Sequence, residues 1–343
     1  MMSMEIDDLV ARMRTGDRRA VARLMTLAES DIMMARAISS KIFKDTGKAY
    51  VIGVTGSPGS GKSSLVNQLI SLLAKKGFRI GVVCVDPTSP FSGGALLGDR
   101  IRMKEDYPPG QVFIRSMASR GKLGGVGRAT KDTIAILDAY GVEVIIVETV
   151  GVGQNEIDVY TIASTTILLL APGMGDEIQA FKAGIMETSD IYVVNKMDHD
   201  GADRLVGEIE SMLDLADTIE LDHGAGHVVV EVKHQAAAGW RPPICKTNAL
   251  TGEGVDALWA TIEHHRDHLN KSGELARKNR AKFRQEIIDI LREKFALHVE
   301  EAFDMAKNGD LPALLDDVAA RKKDPYAASD GIGRTIADKF KTT

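Results

Sequence analysis

The chain has 343 residues, 44% of them hydrophobic and 27% charged, with a formal net charge of -5. That length suggests about two domains, or one larger domain with additions, and the composition fits a soluble globular protein and excludes a disordered or fibrous chain. Two cysteines, Cys84 and Cys245, exclude a disulfide framework and a four-cysteine zinc site. With no basic excess, nucleic acid is not expected as a general partner.

Residues 1–48 read as an N-terminal helical extension. Leu9, Met13, Val21, Leu24, Leu27 and Ile32 recur at spacings that suit one apolar helical stripe. Arg12, Arg14, Arg18, Arg19 and Arg23 share the other side, which is read as a solvated basic face. Met1–Val10 carries Glu5, Asp7 and Asp8 and no apolar run, so it does not read as a signal peptide. No segment reaches the roughly 18 apolar residues of a membrane helix. The expected location is the cytoplasm, with no membrane partner.

Residues 49–262 change character. Short apolar runs at Tyr50–Thr55, Ile80–Val85, Val112–Arg115, Val144–Val147, Thr166–Ala171 and Ile191–Asn195 predict strands buried on both faces. Candidate helices lie between them at Lys62–Lys76, Ala129–Tyr140, Glu177–Glu187 and Ala202–Leu215. This alternation predicts an α/β fold, a mostly parallel sheet flanked by helices, with ligands at the carboxyl ends of the strands.

The first strand runs directly into Gly56-Ser57-Pro58-Gly59-Ser60-Gly61-Lys62-Ser63-Ser64, and a helix follows. This is the full phosphate-loop pattern in its required strand–loop–helix setting, so the domain is expected to be a P-loop nucleotide-binding domain. The glycines let backbone N–H groups face phosphate oxygens, and the helix adds its positive dipole end. Lys62 is expected to reach the β- and γ-phosphates, and the Ser63 hydroxyl to ligate Mg²⁺.

Ile80–Val85 leads into Asp86-Pro87-Thr88, and Asp99 follows in Gly98-Asp99-Arg100. Val144–Val147 leads into Glu148-Thr149-Val150-Gly151. Carboxylates at strand tips beside phosphates can hold Mg²⁺ directly or through water, which makes Asp86, Asp99 and Glu148 metal candidates. Gly151 can offer its N–H to the γ-phosphate and so sense hydrolysis. Val152 stands where small signalling GTPases carry a water-orienting glutamine, and the first glutamine here is Gln154. Slow intrinsic hydrolysis is therefore expected. Arg115, Arg120 and Arg128 flank or lie in a Gly-rich stretch, and Arg120 is the candidate for stabilising transition-state charge.

Ile191–Asn195 delivers Asn195-Lys196-Met197-Asp198, about 130 residues after the phosphate loop. The Asp198 carboxylate accepts only, and guanine offers two donors, N1–H and the exocyclic amine, on one edge. Adenine lacks that pair, so GTP and GDP are expected in preference to ATP. The Lys196 stem can cover the base, and Asn195 can tie this loop to the phosphate loop. Asn248 and Ala249, in Thr247-Asn248-Ala249, resemble the small-residue loop whose backbone touches the guanine oxygen. His264 and His268 fall one helical turn apart and are read as a solvated face, not a metal pair.

Residues 263–343 lose strand character. Phe283, Ile287, Ile290, Leu291, Phe295, Leu297 and Val299 form an apolar helical stripe that must pack on the core domain or on a second copy.

Taken together, these motifs resemble the MeaB/ArgK-type GTPases, G-protein chaperones of adenosylcobalamin-dependent methylmalonyl-CoA mutase and related acyl-CoA mutases. The resembling strings include Val85-Asp86-Pro87-Thr88-Ser89-Pro90-Phe91-Ser92-Gly93-Gly94, Arg115-Ser116-Met117-Ala118-Ser119-Arg120-Gly121 with Leu123-Gly124-Gly125, Glu148-Thr149-Val150-Gly151-Val152-Gly153-Gln154 and Asp324-Pro325-Tyr326, and of these Asp86–Gly94 and Ser116–Gly125 are the specific ones. The resemblance implies an N-terminal helical extension, a central GTPase domain and a C-terminal dimerisation arm, hence a homodimer. It implies GTP-dependent gating of cobalamin delivery to a mutase, and protection or reactivation of that enzyme. It also makes Pro172–Gly184 an additional switch segment. One departure is Asn248-Ala249, where a Ser-Ala pair is commoner.

Three other classes share parts of this pattern. A metal-insertion GTPase of the nickel-enzyme maturation type usually carries a Cys/His cluster, for which Cys84 and Cys245 are too few and too far apart. A transport-associated ATPase or kinase is opposed by Asp198. A signal-recognition-type targeting GTPase needs a Met-rich groove, and the 14 methionines are scattered.

Overall fold

A computed structural model of the chain describes residues 2–87, 107–108, 110–119, 125–149, 155–173, 189–218, 239–305, 311–330 and 333. Contacts divide the chain into two units, Met1–Asn279 and Arg280–Thr343.

In the first unit the described residues form a seven-stranded sheet in the order β3-β2-β4-β1-β5-β6-β7. The strands are β1 (Tyr50–Thr55), β2 (Ile80–Pro87), β3 (Val112–Ser119), β4 (Val144–Thr149), β5 (Thr165–Leu170), β6 (Ile191–Val194) and β7 (Ile244–Lys246). Every pairing between them is parallel. Strands β1, β4, β5 and β6 are buried along their whole length, as their unbroken apolar runs require. Successive residues serve opposite faces: Tyr50, Ile52 and Val54 join one core, and Val51 joins the other.

Helices α1 (Met2–Arg14), α2 (Arg18–Ser30) and α3 (Ile32–Ile42) build the N-terminal layer. Asp17 and Asp31 cap α2 and α3 by accepting backbone N–H bonds in their first turns. This layer shares one core with α5 (Gly125–Ala139), α6 (Asn155–Ile162) and one face of the sheet. On the opposite face lie α4 (Lys62–Lys75) and α8 (Val255–Lys271), which bury Leu65, Leu69, Leu258 and Ile262 against the central strands. Helix α7 (Ala202–Thr218) packs Leu205 and Ile209 on β5 and β6.

Much of the basic face of the extension is paired. Arg12 bonds Asp17 and Asp8, Arg14 bonds Asp45, and Arg23 bonds Glu5. Arg18 donates to the carbonyl of Val112 on the edge strand and stacks over Phe113. Asp138 on α5 accepts from three consecutive backbone N–H groups, those of Gly47 (2.5 Å), Lys48 (3.2 Å) and Ala49 (3.0 Å). That nest fixes the chain where it enters β1.

Three features differ from the sequence reading. β7 and α6 were not expected. The boundary expected at 262/263 falls inside α8, which buries His265 and Leu269 beyond it and so belongs to the sheet unit. Helices α9 (Glu274–Met305) and α10 (Leu311–Ala319) follow in the chain. Residues 325–330 are helical as well, with Asp324 accepting from the Ala327 N–H at 3.0 Å and Pro325 at the first helical position. The expected helix Glu177–Glu187 lies outside the described residues.

Candidate nucleotide site

The phosphate loop leaves β1 at Gly56 and enters α4 at Lys62. Gly56 has φ 144° and Gly61 φ 98°, conformations that side-chain-bearing residues rarely adopt. A Cβ on Gly61 would also collide with the Asn195 carboxamide, and one on Gly56 with the Leu169 carbonyl. Close approach of β6 and β5 to the loop thus requires glycine at both positions.

Lys62 is buried, and its Nζ donates to the carbonyls of Gly56 at 2.6 Å and Ser57 at 2.9 Å. Its charge therefore sits within the loop itself. Ser63 Oγ donates to Glu148 Oε1 at 2.6 Å. Sheet register explains this meeting. Val54 pairs with Glu148 across β1 and β4, so the carboxylate stands beside the point where the loop leaves. Thr55 and Thr149 join the tips of the same two strands through a 3.1 Å hydroxyl bond, a contact that the sequence reading did not single out.

On the other side of β1, Asn195 at the end of β6 is almost fully buried. Its Nδ2 donates to the Ser60 carbonyl at 2.7 Å. Its Oδ1 accepts from the Ala249 N–H at 2.9 Å and from Thr247 Oγ1 at 3.2 Å. One carboxamide therefore holds together the phosphate loop, the end of β6 and the loop after β7. Lys196 takes φ 56°, which turns the chain at the strand end. Asp198 is exposed, with Oδ1 accepting from Asn248 Nδ2 at 2.9 Å.

Strand β7, only three residues long, is what delivers Thr247, Asn248 and Ala249 to Asn195. The Ala249 N–H faces Asn195 Oδ1 here, and the Asn248 side chain is engaged with Asp198.

Asp99, Arg120, Gly151 and Gln154 lie outside the described residues, as does Pro172–Gly184 beyond Gly173. Asp86 is described only as backbone, in β2 beside Ala118. Arg115 and Arg128 face the N-terminal layer: Arg115 pairs with Glu29 at 2.6 Å, and Arg128 with Asp132 at 3.0 Å and the Ala28 carbonyl at 3.2 Å.

A second polar cluster lies at the amino ends of β1, β5 and β6, away from the phosphate loop. His265 is fully buried, with Nδ1 2.7 Å from Thr165 Oγ1, whose hydroxyl also bonds Tyr50. Its Nε2 lies 3.4 Å from Asp190, which in turn pairs with Lys278 at 3.1 Å. Burial holds the His265 pKa down at about 4 and pushes the Tyr50 hydroxyl up to about 12. His264, His265 and His268 surround the Trp240 ring. Among the described residues, no group of three or more His, Cys, Asp or Glu side chains is placed to hold a metal ion. Cys84 is on β2 and Cys245 on β7, with four strands between them.

With this geometry established, comparison with known proteins places the chain. A sequence pattern described as Methylmalonyl Co-A mutase-associated GTPase MeaB matches residues 21–304. A protein of Pyrococcus abyssi named as a GTPase is 46% identical over 331 residues, covering 96% of this chain and 97% of that one. The GTPase ArgK of Escherichia coli is 34% identical over 270 residues, 78% of this chain and 77% of ArgK. The methylmalonic aciduria type A homolog of Mus musculus, a mitochondrial protein, is 32% identical over 310 residues, 85% of this chain and 71% of that one. A crystal structure of a LAO/AO transport system kinase has the same fold, with a TM-score of 0.65 at 24% identity over 97% of each chain. The parallel sheet, the phosphate loop and these relatives agree: the chain belongs to the MeaB family of methylmalonyl-CoA mutase-associated GTPases.

Proposed function

We propose that this protein hydrolyses GTP to GDP and phosphate, and that its nucleotide state gates adenosylcobalamin delivery to an acyl-CoA mutase of the methylmalonyl-CoA type, protecting or reactivating that enzyme. The observation that carries this reading is the Asn195 bridge, which joins a phosphate loop to a guanine-type base loop in a chain of this family.

In this reading the N–H groups of 56–64 cradle the phosphates, and Lys62 exchanges its carbonyl partners for phosphate oxygens. Asp198 accepts from guanine N1–H and the exocyclic amine. Asn195, Lys196, Asn248 and Ala249 shape the base pocket. Water attacks the γ-phosphorus, the bond to the bridging oxygen of GDP breaks, and phosphate leaves. Gly151 senses the γ-phosphate, and Gln154 and Arg120 are the candidates for orienting water and for stabilising charge.

The Ser63 hydroxyl and Glu148 carboxylate converge as an oxygen-only donor pair, which suits a hard cation. Together with Asp86 and Asp99 they would hold Mg²⁺, which neutralises charge on the phosphates when bound. The protein acts in the cytoplasm as a homodimer, with a mutase as partner and neither nucleic acid nor membrane required.

The test is to add purified cobalamin-dependent acyl-CoA mutases to a GTPase assay and to measure their affinity for the GTP-analogue and GDP forms. The cognate mutase should speed hydrolysis about tenfold and discriminate the two forms, since only a differential affinity can drive gating. No acceleration by any such mutase, with equal affinity in both states, would remove the client from this proposal.

A further inference from the structure

Asn248 departs from the small residue common at its position, and both ends of its carboxamide are engaged. Its Oδ1 accepts from the backbone N–H groups of Leu250 at 3.0 Å and Thr251 at 3.3 Å. This turn leaves only one orientation for the carboxamide, with its donor end forward. That end, Nδ2, donates to Asp198 Oδ1 at 2.9 Å. Asn248 is itself almost fully buried, while Asp198 is exposed.

The two halves of one side chain thus do different things. The acceptor half caps a turn. The donor half restrains a carboxylate that would otherwise rotate in solvent. A carboxylate reads guanine well only when both of its oxygens are presented together to two donors. Fixing its rotamer in advance removes an ordering cost from binding. Bonding Oδ1 on one side leaves the remaining lone pairs of the carboxylate for the base.

Resting on the reading of Asp198 as the base acceptor, we infer that Asn248 is a positioning residue for guanine selectivity, acting through Asp198 and not through the base. The substitution that separates its two halves is Asn248→Asp. It keeps an oxygen to cap the turn but replaces the donor with a second carboxylate oxygen facing Asp198.

The experiment measures GDP, IDP and XDP affinity and thermal melting on the full-length chain. Inosine lacks the exocyclic amine, so the GDP-over-IDP preference reports two-point reading by the carboxylate. Asn248→Asp is expected to melt like the wild type, to lose about tenfold or more in GDP affinity, and to lose its preference over IDP. Asn248→Ser, which restores a hydroxyl donor, is expected to recover the preference. Wild-type GDP affinity and preference in Asn248→Asp would overturn the inference. So would an equal loss for GDP and IDP in both variants, which is the mark of a turn-capping role alone. Asp198→Asn is the control. If it trades GDP for XDP while Asn248→Asp changes nothing, only this inference fails. If Asp198→Asn keeps GDP affinity, the base reading fails and this inference with it.

Discussion

Lys62 holds a full charge in a loop of backbone dipoles, where two carbonyls at 2.6 and 2.9 Å partly compensate it. Phosphate oxygens would compensate it better, because both partners are then charged. Lys62→Ala should therefore weaken GTP binding by about ten- to a hundredfold, measured by titration with a fluorescent analogue. Ser63→Ala and Glu148→Gln should cut Mg²⁺-dependent hydrolysis far more than GDP affinity. Equal losses of both in Glu148→Gln would make that glutamate merely structural. His265 makes a different argument. Its pKa of about 4 lies below the ordinary value of 6.5 because burial disfavours its charge; Lys278, His264 and His268 disfavour it further, and only Asp190 opposes them. The unfolded chain therefore binds the extra proton first. The stability contributed by neutral His265 is complete above about pH 6.5 and is lost as pH falls toward 4, about 3 kcal/mol in all. Urea denaturation of the wild type and of His265→Gln should show a shallower pH slope in the variant across that window. Parallel slopes would place the acid sensitivity elsewhere.

Among the elements, the anchor of the N-terminal layer is the most exposed to a single substitution. Asp138 on α5 is the shared acceptor for Gly47, Lys48 and Ala49. Removing it leaves three donors without a carboxylate just before β1. Asp138→Ala should cost about 2–3 kcal/mol, with the amides of 47–49 exchanging hydrogen faster than those of α4. A loss below about 0.5 kcal/mol would mean that water replaces the carboxylate freely. Anchors of this kind were not legible in the sequence. The phosphate loop and the asparagine–aspartate turn are local patterns imposed by backbone geometry, so they can be read from a few adjacent letters. The central strands were legible because burial on both faces removes every polar residue from them. β7 has three residues, half-buried or exposed, too few to show any period. β3 was expected to end at Arg115 but runs to Ser119, because an edge strand tolerates polar residues that an interior one excludes. The buried cluster draws residues 50, 165, 190, 265 and 278 from five places in the chain. Only the fold brings them together, and sequence reasoning singled out His264 and His268 while passing over His265 between them.

At the scale of the whole molecule, the unit beyond Asn279 raises the question of what covers its apolar face. In α9, Phe283, Ile287, Leu291, Phe295 and Val299 recur every four residues, Ile290 lies beside Leu291, and each of the six is 38–58% exposed. A polar helix with scattered apolar residues needs no explanation, but a continuous stripe of six large ones does. A twofold partner offers the same stripe in return, since an isologous interface pairs a surface patch with its own copy. The proposed homodimer places its interface here. Placing two carboxylates in the middle of that stripe, as Ile287→Asp with Leu291→Asp in the full-length chain, would bury like charges against their symmetry mates. Light scattering should find a dimer for the wild type and a monomer for the double variant, with GDP affinity unchanged because neither residue belongs to the nucleotide site. A wild type that is monomeric at micromolar concentration, or a double variant that stays dimeric, would move the interface away from α9. If the mutase requires the dimer, the same variant should bind GTP normally yet show no acceleration by the client.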